Sequence, residues 1–335
     1  MMKRRTFLAA GLIAAAAAFA MPASAQEMKE LNFGIISTES QSNLKPVWTP
    51  FLQAMEKQTG MKVNAFFAPD YAGVVEGMRF NKVQVAWFGN AAAIQAVDRA
   101  GGEVFVQSVA HDGAQGYYSL LLVHKDSPIK SLEDIIKAPG KYTFGNGDPN
   151  STSGFLVPSY YVFAQNKIDP KTHFKRMVTA NHETNALAVA NKQVDIATNN
   201  TENLDRMKLT APDKAALVRE VWRSPLIASD PLVWRADLPV PVKQKVKTFL
   251  LTYGTKQPGK SDEVQKQELA VLKGLQWAPF KESSNKQLIP FRELSLFRDR
   301  TKIENDEKLS AEEKTKELKE IDAKLADLKK QASAS

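Results

Sequence analysis

From residue 31 onward, short β-rich runs alternate with stretches of helical periodicity, and that alternation leaves few folds open to the chain. Strand character falls on residues 31–36, 61–67, 83–87, 104–109 and 117–124. Helical patterning fills 44–58, 71–80 and 91–100 between them, with Asp70 well suited to cap the second helix. A second set follows, with helices over 131–136, 154–165, 183–190 and 201–208 and strands over 142–145, 174–178, 194–198 and 216–222. Residues 232–234 resume strand character, and the remainder reads as helical. The pattern predicts an α/β protein with two doubly wound lobes on parallel sheets. No internal repeat or low-complexity linker separates the two sets. The chain should therefore cross between lobes more than once, near 124–128 and near 224–230. One lobe is expected over 26–124 plus 229–300 and the other over 125–228. Residues 301–335 should form a charged C-terminal helix and tail. Ligands of open α/β sheets bind beyond the carboxyl ends of strands, at lobe interfaces.

The first twenty-five residues read as an address rather than as structure. Lys3, Arg4 and Arg5 precede an apolar run over 8–20, and Ala23-Ser24-Ala25 offers small residues to a signal peptidase. Cleavage is expected after Ala25, and Arg4-Arg5-Thr6-Phe7-Leu8 resembles a twin-arginine export signal. The expected location is the periplasm. The chain has no cysteine, which excludes disulfides, thiolate metal sites, a cysteine nucleophile and a lipid-anchored lipobox. Its four histidines are too scattered for an HExxH metal site, and no cofactor is expected. The formal charge of +8 includes three from Lys3, Arg4 and Arg5, so +5 remains after cleavage. That excess is spread along the chain and gives no footprint for nucleic acid. Residues 300–330 carry nine basic and nine acidic residues, with Leu318, Ile321, Leu325 and Leu328 in a 3-4-3 stripe. The stripe suits packing on its own lobe or pairing between two subunits, and the spacing leaves both open.

The segment Phe144-Gly145-Asn146-Gly147-Asp148-Pro149-Asn150-Ser151-Thr152-Ser153-Gly154 follows a strand and opens a helix. Glycines allow close backbone approach, and the first N–H groups of a helix lack internal acceptors. Beside three hydroxyls, Ser151, Thr152 and Ser153, they form a neutral anion pocket. No Gly-Lys-Ser/Thr follows, so the loop is not a nucleotide P-loop. Asn181 can cap the next helix and bring His182 to the same cleft. Tyr71, at a helix start beyond a strand, can reach it from the opposite lobe. Glu202 and Asp230 lie in loops or caps and would make a cation subsite if both face the cleft.

These residues carry a resemblance. LNFGIISTES (31–40), VNAFFAPDYAG (63–73), GMRFNK (77–82), FGNGDPNSTSGFLVP (144–158) and HETNALAVANKQVDIATNNTEN (182–203) are similar to periplasmic substrate-binding proteins of phosphonate ABC transporters. The resemblance spans nearly the whole chain after the leader. It implies a type II periplasmic-binding-protein fold whose two lobes close on ligand. It implies that Tyr71, Ser151, Thr152, Ser153 and His182 hold a phosphonate. It implies that Glu202 and Asp230 receive the ammonium of an aminoalkylphosphonate such as 2-aminoethylphosphonate, with Tyr117 lining the pocket. The implied partners are an ABC permease and its ATPase, together with a homodimer through the C-terminal helix. Phe88 departs from the tyrosine expected after Trp87, and Ala228-Ser229 stands where Pro-Gly is nearer the pattern. Two alternatives stay open. One is a binding protein for phosphate, phosphite or a sulfonate. The other is a hydrolase using Ser151 or Ser153 with His182 and Asp230, although no G-x-S-x-G elbow is present.

Overall fold

The computed structural model describes residues 28–333, so the leader expected over 1–25 lies outside the described residues. In chain order the strands are β1 (Glu30–Ile35), β2 (Lys62–Phe67), β3 (Val85–Trp87), β4 (Gly102–Ala110), β5 (Gly116–Tyr117), β6 (Ser119–His124), β7 (Thr143–Asn146), β8 (Arg176–Thr179), β9 (Ile196–Asn200), β10 (Val218–Arg223), β11 (Ile227–Ala228), β12 (Pro231–Arg235) and β13 (Trp277–Glu282). The α-helices are α1 (Gln41–Thr59), α2 (Tyr71–Arg79), α3 (Asn90–Arg99), α4 (Leu132–Ile136), α5 (Pro170–His173), α6 (His182–Ala190), α7 (Thr201–Thr210), α8 (Pro212–Ala215), α9 (Val240–Thr252), α10 (Asp262–Gly274), α11 (Ile289–Asn305) and α12 (Ala311–Ser333).

Two sheets make two lobes. The first has the order β13-β4-β12-β3-β1-β2 and the second β10-β6-β9-β7-β8, with a two-stranded β11-β5 ribbon as a third, separate sheet. Parallel pairing is confined to β2-β1-β3 and β8-β7-β9. The remaining pairs, including β12 with β3 and β4, are antiparallel. The parallel-sheet expectation is thus corrected to mixed sheets. β12 re-enters the first sheet after the chain's excursion through the second, and a pairing that distant leaves no local mark in the sequence.

Three further expectations are revised. The run 117–124 divides at Tyr118, because β5 pairs with β11 while β6 pairs with β9 and β10. The chain has therefore reached the second sheet by Ser119, earlier than the expected 124–128. The C-terminal remainder is not wholly helical, since β13 pairs antiparallel with β4. Residues 152–163 are not a regular α-helix but two π-helical turns, Thr152–Leu156 and Ser159–Phe163. Pro158 lies between them and lacks the N–H that a regular ladder requires. Such turns concentrate at functional sites.

The core centres on the first sheet. Phe33, Trp48, Phe51, Trp87, Trp277 and Phe280 meet in tilted and edge-to-face pairs, with Trp48 and Trp277 centroids 5.3 Å apart. The tail helix α12 folds back on α11, which covers the apolar stripe. Ile321, Leu325 and Leu328 are buried within the chain itself.

Candidate ligand-binding site

The cleft between the lobes holds a cavity of about 50 Å³. That is space for a handful of water-sized groups. It lies beyond the carboxyl ends of β1, β2, β3, β7, β8 and β9, where the turns into the next helices converge. Tyr71, Tyr117, Ser151, Thr152, Ser153, His182, Glu202 and Asp230 all line it. The eight come from both lobes and from the ribbon between them.

One pole is built of neutral donors. Ser151 caps the first π-helical turn, its Oγ accepting from the Gly154 N–H at 3.0 Å. The loop before it closes where the Gly147 N–H donates to the Gly154 carbonyl at 3.1 Å. A Cβ on Gly147 would overlap the Gly154 backbone, so this close approach requires glycine. Asn181 caps α6 through the Thr184 N–H at 2.9 Å, which sets His182 at the start of that helix. His182 Nε2 lies 3.3 Å from Ser151 Oγ and 3.5 Å from Ser153 Oγ. The Asn200 amide donates to Ser153 Oγ at 3.0 Å and lies 3.3 Å from the same imidazole nitrogen. Burial pulls the His182 pKa down to about 4, so the ring is neutral near pH 7. Burial also raises the Tyr71 and Tyr117 hydroxyls well above the usual phenol range, which keeps both protonated. The pole therefore offers O–H and N–H groups and two helix starts, without a lysine or arginine.

The other pole is acidic. Asp230 accepts a hydrogen bond from the Tyr117 hydroxyl at 2.9 Å. Its carboxyl is raised well above the usual range, first by burial and then by the neighbouring Glu202, against the opposing effects of Tyr117 and Trp87. The Trp87 indole N–H is buried without a hydrogen-bond partner among the described residues, yet it lies near enough to Asp230 to favour the anion. Burial raises Glu202 to about 7, with Arg206 pulling the other way. Two desolvated acids facing one small space favour a cation between them.

Several lining residues carried no separate signal in the sequence. Trp48, Trp87 and Trp277 extend the aromatic core to the cavity wall. Trp277 belongs to β13, whose strand character went unread. Glu39 and Arg206 line the cavity as a cross-lobe ion pair at 2.7 Å, and only the folded chain brings them together. Asn200 lies inside the resembling stretch 182–203, and the fold makes it the cap of α7, accepting from the Asn203 N–H at 2.7 Å. Phe88 is fully buried and is not among the lining residues.

The hydrolase alternative needs a carboxylate on the imidazole. His182 Nδ1 is buried with no hydrogen-bond partner among the described residues, and Asp230 is engaged by Tyr117 instead. An imidazole with a pKa of about 4 is also a weak base at neutral pH.

Comparison with known proteins shows the family. The family profile described as ABC transporter, phosphonate, periplasmic substrate-binding protein matches residues 33–288. The phosphonates-binding periplasmic protein of Escherichia coli strain K12 is 58% identical over 308 residues, covering 92% of this chain and 88% of that protein. The phosphate-import protein PhnD of Mycolicibacterium smegmatis is 32% identical over 229 residues, covering 65% of this chain and 70% of that protein. Among solved structures, a binding protein component of an ABC phosphonate transporter from Pseudomonas aeruginosa is 54% identical. It covers 92% of this chain and 99% of that one, with a TM-score of 0.87. These relatives are substrate-binding transport proteins, and the chain is not an enzyme. A profile match over most of the chain and high identity along nearly all of it lead to one conclusion: the chain belongs to the family of periplasmic substrate-binding proteins of phosphonate ABC transporters.

Proposed function

We propose that this protein captures aminoalkylphosphonates, with 2-aminoethylphosphonate as the favoured ligand, in the periplasm and delivers them to the permease and ATPase of an ABC importer. The observation that carries the choice of an amine is the acidic pair of half-buried Glu202 and buried Asp230, opposite a pole of neutral donors in the same cavity. A phosphonate at Tyr71, Ser151, Thr152, Ser153 and His182 would take hydroxyl and amide hydrogens. An ammonium at Glu202 and Asp230, beside Tyr117, would offset the burial of Asp230 and the partial burial of Glu202. The leader at residues 1–25 supports export. The lobes would close about the β5–β11 ribbon, which moves the first lobe boundary from residue 124 to just before Ser119. The homodimer through the C-terminal helix is left out of this proposal, because α11 already covers the apolar stripe.

A relative named for phosphate import makes the ligand panel decisive. Calorimetry should rank 2-aminoethylphosphonate above methylphosphonate, phosphate and phosphite. Glu202→Gln should weaken 2-aminoethylphosphonate at least about tenfold, the scale of one charge-assisted hydrogen bond, while leaving methylphosphonate nearly unchanged. Equal losses on both ligands, or tighter binding of phosphate or phosphite by the unsubstituted protein, would overturn the aminoalkylphosphonate reading.

A further inference from the structure

Contacts across the cleft follow one electrostatic rule. Helix α1 begins at Ser40, whose own side chain makes no capping bond. Instead Glu183, from α6 of the opposite lobe, accepts from the Ser40 N–H at 2.7 Å and from the Asn43 side-chain amide. Helix α3 begins at Gly89, again with no side-chain cap of its own. Its Ala91 N–H donates to Thr152 Oγ1 of the second lobe at 2.9 Å. Helix α2 has Asp70 as its cap, yet its first N–H, on Tyr71, donates to Asp148 Oδ2 across the cleft at 3.1 Å. The polarity reverses at a helix end. The Arg206 guanidinium lies 3.5 and 3.4 Å from the carbonyls of Gly274 and Leu275, which terminate α10. The second lobe thus sets oxygens on three helix N-termini of the first and a cation on one C-terminus, each matched to the helix dipole.

We propose that Glu183 and Asp148 are positioning residues for lobe closure, which cap first-lobe helices in trans and hold the cleft shut without touching ligand. Neither lines the cavity. Opening the cleft would strip α1 of its only side-chain cap among the described residues and α2 of the Asp148 bond, so these bonds belong to the closed state. The proposal rests on the phosphonate-binding reading for its ligand arm but not for its ligand-free arm. Glu183 is the cleaner residue to test, because Asp148 also holds its own loop through the Asn150 N–H at 2.7 Å.

The chain has no cysteine, so spin labels at Lys82→Cys and Lys175→Cys, one on each lobe, report lobe separation by pulsed electron resonance. Glu183→Ala should shift the distance distribution toward open forms, with and without ligand. It should weaken methylphosphonate and 2-aminoethylphosphonate by the same factor, about 3- to 10-fold as expected for one charged helix cap, through faster release. Asn43→Ala should weaken binding in the same way and add little to Glu183→Ala. Unchanged distance distributions, or a lower melting temperature without any change in lobe separation, would overturn the proposal. If no phosphonate moves the distribution of the otherwise unsubstituted protein, the ligand reading fails, while the ligand-free comparison still decides the role of Glu183.

Discussion

On the proposed reading of the site, Glu202 and Asp230 set the protonation cost of binding an ammonium. In the cavity burial raises both acids, Glu202 to about 7, and the Glu202 charge raises Asp230 further. Below that value the pair holds at least one proton that an arriving ammonium must displace. Affinity for 2-aminoethylphosphonate relative to methylphosphonate should therefore rise with pH through the range where Glu202 titrates, by up to about tenfold per unit below pH ~7. The ammonium also lowers the second pKa of the phosphonate it is attached to, so the ratio is corrected for each ligand's own titration, measured separately. Calorimetry in buffers of different ionisation enthalpy should also show proton release on binding the amine and none from this pair on binding methylphosphonate. A flat ratio between about pH 5.5 and 8 would mean that the ammonium does not reach these acids. His182 shifts in the opposite sense, for the same physical reason. Its depressed pKa keeps a neutral ring beside Ser151 and Ser153, where a positive one would be costly in the absence of anion.

The element that decides the anion pole is the loop from β7 to the first π-helical turn. Its shape depends on Gly147 lying against Gly154, where a Cβ would strike the facing backbone. Gly147→Ala should destabilise the fold by about 1–3 kcal/mol and weaken methylphosphonate and 2-aminoethylphosphonate alike, in thermal melts and calorimetry respectively. Wild-type affinity in that variant would show that the loop tolerates rearrangement. This element was legible in the sequence because its signals are local. Glycines, a capping serine and three adjacent hydroxyls sit within eleven residues. Asp70 and Asn181 were legible as caps for the same reason, and so was the alternation that placed β1 to β3 and α1 to α3. Pairing partners distant in sequence were not. The return of β12 between β3 and β4, the break at Tyr118 and the strand β13 are settled by what packs alongside them. The same limit hid Glu39 and Arg206, whose ion pair joins residues about half a chain length apart, and the π-helical turns on either side of Pro158.

At the scale of the whole molecule, the charged tail raises the question of what an apolar stripe is for. Ile321, Leu325 and Leu328 are buried on the chain itself, and Arg300 of α11 pairs with Asp322 of α12. A stripe covered in this way adds stability to one subunit. Its removal should leave the cleft untouched, because no residue of α12 lines the cavity. Deleting residues 306–335 should lower the melting temperature by about 3–8 °C, the scale of one to three buried side chains lost from a chain of this size. The mass in light scattering should match that of the single chain before and after deletion, and phosphonate affinity should be unchanged. A full-length mass of two chains that falls to one on deletion would assign the helix to a subunit interface after all. The remaining outcome, a loss of affinity with unchanged mass, would mean that α11 and α12 brace the π-helical turns of the anion pole. That coupling has a route, because Phe297 of α11 packs on Tyr160 of the second turn with ring centroids 6.2 Å apart.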